Sequence, residues 1–218
     1  MEKTDVLSAL TEMRKNSKKR NFNQSVDLII TLKDLDLKKT DNQRDIFITL
    51  PHPPSKSVKV CALVGPESVE SAKDCQKVIS QDEFPQYEAD ENKIKKLAKE
   101  FDFFVAQANI MPLIAKVFGK VLGRRGKMPN PKAGCIVPPK TNLKPLVDRL
   151  QRTVEVKVKT SPMVQCKVGT EDMKDEEIAE NIVTIFNNLL HALPNERNNI
   201  KSVMVKTTMG APVKIQGW

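Results

Sequence analysis

Two histidines are all the chain has, at positions 52 and 191. A catalytic pair is not evident, because His52 lies among prolines and His191 closes a helical stretch, where it suits the negative end of the helix dipole. No Gly-x-Gly-x-x-Gly string and no P-loop occurs, so the glycines that let a pyrophosphate approach the backbone are missing. The four cysteines, Cys61, Cys75, Cys135 and Cys166, form no Cys-x-x-Cys pair. That argues against a zinc site and fits reduced core thiols of an intracellular protein. A run of about 18 apolar residues is also lacking, so no segment is expected to span a membrane. Residues 1–16 alternate charge with single apolar residues and are expected not to be a signal peptide. No cofactor and no metal is expected. Enzymatic activity is disfavoured, since the scattered carboxylates on charged helix faces are the usual solvated kind.

What is present is an ordinary soluble composition with a positive bias. Of 218 residues, 39% are hydrophobic and 29% charged, with a net charge of +9 and a pI near 9.3. A real core is available, two domains fit the length, and an acidic partner is implied. Twenty-seven acidic residues rule out a simple polybasic tail, so shape must supplement charge.

The periodicities divide the chain. Val6, Leu7, Leu10 and Met13 predict an amphipathic helix over 4–15 with Thr4 as N-cap, followed by the basic cluster Lys18–Arg20. Ser25–Leu32 and Asp45–Leu50 alternate as half-buried strands and are expected to pair with each other, across a polar connection holding Lys38, Lys39, Asp41 and Asn42. Pro51–Ser57 then marks a domain boundary. Beyond it the pattern changes. Val58–Val64 reads as a strand buried on both faces, 67–75 as a helix, Lys77–Ser80 as a strand and Asn92–Phe101 as a helix. Phe103–Gln107 reads as a strand, with helices over Met111–Leu122 and Asn142–Arg152. Half-exposed strands return at Val154–Val158 and Val164–Val168, followed by a strong helix over Asp175–Leu193 and a strand over Ser202–Met209. The fold class expected is an α+β split domain (antiparallel sheet with helices), residues 1–57 and 154–218, carrying an inserted α/β doubly wound, Rossmann-like domain, residues 58–153. Its two tethers suggest hinge motion.

Two features point to nucleic acid. From Phe103 to Val147 every charged residue is basic: Lys116, Lys120, Arg124, Arg125, Lys127, Lys132, Lys140 and Lys144. Within that span, the glycine- and proline-rich stretch Gly119–Gly134 predicts an exposed irregular loop, either merely solvated or facing phosphate. Three further segments, Asn21–Ser25, Cys166–Gly169 and Lys206–Gly210, set short donors and acceptors beside strand ends, as recognition of folded RNA requires. Phe22 offers a surface for stacking on a nucleotide, although its local pattern favours packing beneath the first helix.

The string Leu122-Gly-Arg-Arg-Gly-Lys-Met-Pro-Asn-Pro-Lys132 resembles the signature of the L-one family of the large ribosomal subunit, as do Leu50-Pro-His52 and Lys206-Thr-Thr-Met-Gly210. Lys127-Met128 in place of two leucines resembles the archaeal branch. The resemblance implies that ribosomal RNA is bound through Phe22, Gln24, Ser25, Asp27, Lys167, Gly169, Thr207, Thr208, Met209 and Gly210, beside Lys206. Arg124, Arg125, Lys127 and Lys132 form a secondary basic loop. It further implies a cytoplasmic, ribosome-bound protein, monomeric when free, that forms a mobile stalk near the tRNA exit site, assists release of deacylated tRNA and represses its own messenger RNA. The chain departs from the family pattern at Pro53 and Ser55, where glycines are frequent and flexibility follows. It also has Gly123-Arg-Arg-Gly126 for Gly-Pro-Arg-Gly, and Thr170 where bacterial members place a lysine. The competing reading is a nucleotide-dependent RNA-modifying enzyme.

Overall fold

The computed structural model describes residues 1–35, 37, 43–54, 57–139, 141–159 and 161–217, and the chain divides into two units, Met1–Ser55 with Arg152–Trp218, and Lys56–Gln151. The polar connection at Lys38, Lys39, Asp41 and Asn42 lies outside the described residues, as do Ser55 and Lys140. The first unit opens with α1 (Lys3–Asn16), β1 (Ser25–Leu32) and β2 (Arg44–Thr49). The second holds β3 (Val60–Val64), β4 (Lys77–Ser80), α2 (Phe84–Glu88), α3 (Glu91–Glu100), β5 (Phe103–Gln107), α4 (Met111–Arg124), β6 (Ile136–Val137) and α5 (Lys144–Leu150). The chain returns to the first unit with β7 (Thr153–Val158), β8 (Met163–Thr170), α6 (Asp175–Ala192), β9 (Ile200–Thr207) and β10 (Val213–Lys214).

In the first unit an antiparallel sheet runs in the order β10-β9-β1-β8. Val26, Leu28, Ile30 and Leu32 of β1 point to one face, where they share a core with Val6, Leu10 and Met13 of α1 and Ile178, Ile182, Ile185, Phe186 and Leu189 of α6. Side chains on successive strand positions alternate faces, so Ser25, Asp27, Ile29 and Thr31 line the opposite face and are only half-buried. The helices thus leave one side of the sheet open.

The expected pairing of β1 with β2 does not occur. Both edges of β1 are taken, by β8 and β9, and β2 pairs antiparallel with β7 in a separate two-stranded sheet. Strand length gives the reason: β1, β8 and β9 each span eight residues, whereas β2 and β7 each span six. Matching partners satisfy more ladder bonds and bring apolar faces into register. Thr4 is also not an N-cap. The helix begins at Lys3, Glu2 before it makes no side-chain cap bond, and the buried stripe Val6, Ala9, Leu10, Met13 holds α1 down instead. Arg14 adds a fork: its guanidinium donates to Asp175 Oδ1 at 2.6 Å and to the carbonyls of Glu171 and Met173 at 2.9 and 2.8 Å, tying α1 to the turn that starts α6.

The second unit has a parallel sheet, β4-β3-β5-β6. All five residues of β3 are buried, with Cys61 and Leu63 packed among Ile94, Leu97, Ile114 and Phe118 of α3 and α4. Two-sided burial explains its unbroken apolar run. Two corrections apply. Residues 67–75 form short 3-10 turns, Pro66–Ser68 and Glu70–Ala72, rather than a regular helix. The stretch Gly119–Gly134 is not wholly irregular, because α4 continues through Gly119 and Gly123 to Arg124. Apolar residues Phe118, Val121 and Leu122 outweigh the two glycines, each of which costs about 1 kcal/mol in a helix interior. The short strands β6 and β10 and the helix α2 carry no periodicity to announce them.

Candidate functional site

On the open face of the first sheet the register sets three rows across β8, β1 and β9: Lys167–Asp27–Lys206, Gln165–Ile29–Met204 and Met163–Thr31–Ser202. The first row places a carboxylate between two ammonium groups. Asp27, Ile29, Gln165, Cys166, Lys167 and Lys206 line a shallow cavity of about 260 Å³ there. A β-bulge between Val26 and Asp27 shifts the pairing with β8. It lies where the row meets the strand end, and bulges re-aim side chains at such places.

Next to that row the strand ends are stitched together. Thr208 Oγ1 accepts from the Ser25 amide at 3.0 Å and lies 3.0 Å from Ser25 Oγ, while the Thr208 amide donates to the Ser25 carbonyl at 3.0 Å. Met209 is 60% exposed and Phe22 52% exposed. Phe22 therefore does not pack beneath α1, contrary to its local pattern. It lines a cavity of about 480 Å³ with Arg14, Lys19, Arg20, Asn21, Asn23, Glu171 and Asp172. Asn23 Nδ2 donates to Asp172 Oδ2 there.

Three of the expected contact residues face inward. Gln24 is 0% exposed and Thr207 1% exposed, and Gly169 is buried as well. Gly169 packs on α6, where a Cβ would come within 3.0 Å of Ile178 Cγ1 and 3.1 Å of Met173 Sδ. A Cβ at Gly210 would collide with Thr207 Oγ1. The fold itself thus supplies a reason for both glycines. Thr207 Oγ1 lies 3.1 Å from Ser17 Oγ, so its hydroxyl is used internally.

The basic loop divides in the same way. Gly126, at φ +66°, ends α4 in a Schellman turn: the Lys127 amide bonds the Leu122 carbonyl at 3.0 Å and the Gly126 amide bonds the Gly123 carbonyl at 3.1 Å. Lys127 Nζ donates to the Phe101 carbonyl at 2.7 Å, and Arg125 Nη1 reaches the Lys95 carbonyl at 3.3 Å. Asn130 Oδ1 accepts from the Lys132 amide at 2.9 Å and caps the turn Pro131–Ala133. Arg149 Nη2 donates to the Ala133 carbonyl at 2.6 Å across Gly134, whose φ is +72°. Arg124 and Lys132 are exposed.

At the carboxyl end of β3 and β5, where doubly wound folds bind nucleotides, the Gly65 amide donates to Gln107 Oε1 at 2.7 Å. Gln107 Nε2 donates to Ser68 Oγ. A side chain of the protein thus occupies the donor that a phosphate needs. Burial pushes the thiols of Cys61 and Cys166 up to about 12 and those of Cys75 and Cys135 to about 11, far from reactive thiolates. Among the described residues no group of three or more His, Cys, Asp or Glu is placed to hold a metal ion, and no helix is long and apolar enough to cross a membrane.

Asn181 carries no signal in composition but stands inside the apolar stripe of α6, between Ile178 and Ile182. A polar residue at such a position announces a buried hydrogen-bonding task. Its Oδ1 accepts from the His52 amide at 3.1 Å, and its Nδ2 donates to the carbonyls of His52 at 3.1 Å and Val168 at 2.8 Å. The His52 ring nitrogen Nε2 lies 2.9 Å from Glu180 Oε2. Glu180 also accepts from Lys3 Nζ, and hydrogen bonds from Lys3, then His52, hold its carboxyl below the ordinary carboxylate range.

Residues 13–211 match the model of the ribosomal protein L1p/L10e family. The large ribosomal subunit protein uL1 of Pyrococcus abyssi is 42% identical over 97% of this chain and 95% of its own length. Its namesake from Methanobrevibacter smithii is 43% identical over 97% and 98%. That from Methanothermococcus thermolithotrophicus is 41% identical over 99% and 100%.

Proposed function

The chain belongs to the ribosomal protein L1p/L10e family, and we propose that, as a large-subunit protein, it grips ribosomal RNA with the open face and adjoining strand ends of its first unit. The observation that carries this reading is the row Lys167–Asp27–Lys206 beside the exposed Thr208, Met209 and Phe22. Two cations held across three strands suit a bent phosphate backbone, and the neighbouring hydroxyl and apolar groups suit riboses and unstacked bases. The family is one of structural proteins rather than enzymes. The Gln107 carboxamide on the Gly65 amide speaks against the nucleotide-dependent alternative.

The test is equilibrium binding of wild type, Lys206→Ala and Lys167→Ala to a transcript of archaeal large-subunit ribosomal RNA at several salt concentrations. Each lost phosphate contact should lower the salt slope by roughly 0.7 to 0.9. Unchanged slopes and affinities in both variants would place the interface elsewhere.

The unit 56–151 is then an insertion that carries exposed basic residues of its own, Arg124 and Lys132 included. A second, basic unit tethered at two points suits a mobile stalk near the tRNA exit site that helps release deacylated tRNA. Repression of its own messenger RNA would use the same first-unit surface. Ribosomes carrying Arg124→Ala with Lys132→Ala should retain the protein and release deacylated tRNA more slowly. Competition between ribosomal RNA and the messenger for one binding site tests the repressor role.

A further inference from the structure

We propose that Gln24, which the family resemblance sets among the RNA contacts, is instead the positioning residue of that interface, an inference that rests on the RNA reading above. Its side chain is fully buried and reaches no ligand from outside. Its carboxamide ties together two segments that lie outside helix and strand. Gln24 Oε1 accepts from the Met209 amide at 3.2 Å, and Nε2 donates to the Lys18 carbonyl at 3.1 Å with Ser17 Oγ at 3.5 Å. Its own carbonyl accepts from the Glu171 amide at 2.9 Å. One residue therefore joins the arm after α1, the turn after β9 and the turn after β8.

The arm and the turn after β9 carry outward groups: Lys18, Lys19 and Arg20 on the arm, Thr208 and Met209 on the turn. The Ser17 hydroxyl, 3.1 Å from Thr207 Oγ1, repeats the tie between arm and turn. Thr208 is tied to Ser25 and the Gly210 amide to the Thr207 carbonyl, but the Met209 amide and the Lys18 carbonyl are held by Gln24, so without it part of the order of both segments would have to come from the RNA itself. Ordering at the moment of binding weakens affinity without removing any contact. The carboxamide suits the task because it offers an acceptor in one direction and donors in the other.

Two variants separate these roles. Gln24→Met keeps the length and removes both polar atoms, whereas Gln24→Glu keeps an acceptor toward Met209 and removes the donor toward Lys18. Binding to the archaeal large-subunit RNA transcript is measured beside amide hydrogen exchange of the free protein. Gln24→Met should bind about tenfold more weakly, the effect of roughly one lost net hydrogen bond. Its Met209 amide should lose protection while the mid-sheet amides of Leu28 and Val205 keep theirs. Gln24→Glu should keep the Met209 amide protected and bind with intermediate affinity. Wild-type affinity in Gln24→Met with an unprotected Met209 amide overturns the inference. So does equal loss of protection at Leu28 and Val205, which would make Gln24 a part of the core only. The underlying reading fails separately: if Lys206→Ala and Lys167→Ala bind as wild type at every salt concentration, the interface itself is misplaced.

Discussion

Replacing Asn181 should destabilise the first unit by about 3 kcal/mol, from three buried or half-buried hydrogen bonds at roughly 1 kcal/mol net each. The three are unequal. The His52 peptide is half-buried, so water can take over part of its bonding, but the Val168 carbonyl lies under a fully buried side chain and at 2.8 Å has the shortest bond of the three. Leaving a buried acceptor without a donor costs its full desolvation, about 1 to 3 kcal/mol. Asn181→Leu should therefore cost nearly as much as Asn181→Ala, because volume is not what the side chain supplies. A shift of that size lowers Tm by about 10 °C in a chain of this length. The assay is thermal and urea unfolding of both variants, with hydrogen exchange at the His52 amide as the local probe. A loss under about 0.5 kcal/mol, or an equally protected His52 amide, would refute the reasoning.

Thr208→Val removes the acceptor of the Ser25 amide at an exposed strand end, so stability should fall by only about 0.5 to 1 kcal/mol while RNA affinity falls further and stays low at all salt concentrations. Melting and binding titrations check it. Gly123→Ala should stabilise the second unit by about 1 kcal/mol, since a Cβ there meets nothing within 4 Å, whereas Gly126→Ala at φ +66° should destabilise it. Paired denaturation curves decide. The four thiols should resist a disulfide reagent until unfolding. With folded values near 11 to 12, their contribution to stability is fully present below the ordinary thiol value of 9.0 and is lost as pH rises toward 12, which alkaline titration of Tm measures.

Where one face of an element is buried, its pattern was readable. β1 alternates Val26, Leu28, Ile30, Leu32 with half-exposed partners, and α6 runs as an apolar stripe behind Asp175, Glu176 and Glu177 at its positive end. Pairing was not readable, because alternation tells which face of β1 is inward and says nothing about which strands flank it. That choice fell to β8 and β9, some 140 and 180 residues further on by register. The site was legible as chemistry and not as direction. A Gln, a Thr and a Gly beside strand ends look alike in sequence whether they face RNA or one another. Only the buried positions of Gln24, Thr207 and Gly169 separate holding from touching.

The same division explains the glycine- and proline-rich stretch that carries the strongest family resemblance. Its composition suggests a loop kept loose for phosphate, yet most of its characteristic residues have tasks inside the second unit. Gly126 and Gly134 take left-handed φ values, the first to end α4 and the second beneath the Arg149 guanidinium. Asn130 caps a turn and Lys127 binds the Phe101 carbonyl. A side chain already hydrogen-bonded at 2.7 Å must give up that bond to reach a phosphate, so Lys127 is a weaker electrostatic partner than its charge implies. Arg124 and Lys132, exposed at the helix end and the capped turn, have no such side-chain bond among the described residues. Charge counting treats these cations as equivalent, but the backbone around them fixes two as fasteners and leaves two directed at solvent. The fasteners hold the turn from which the outward pair projects.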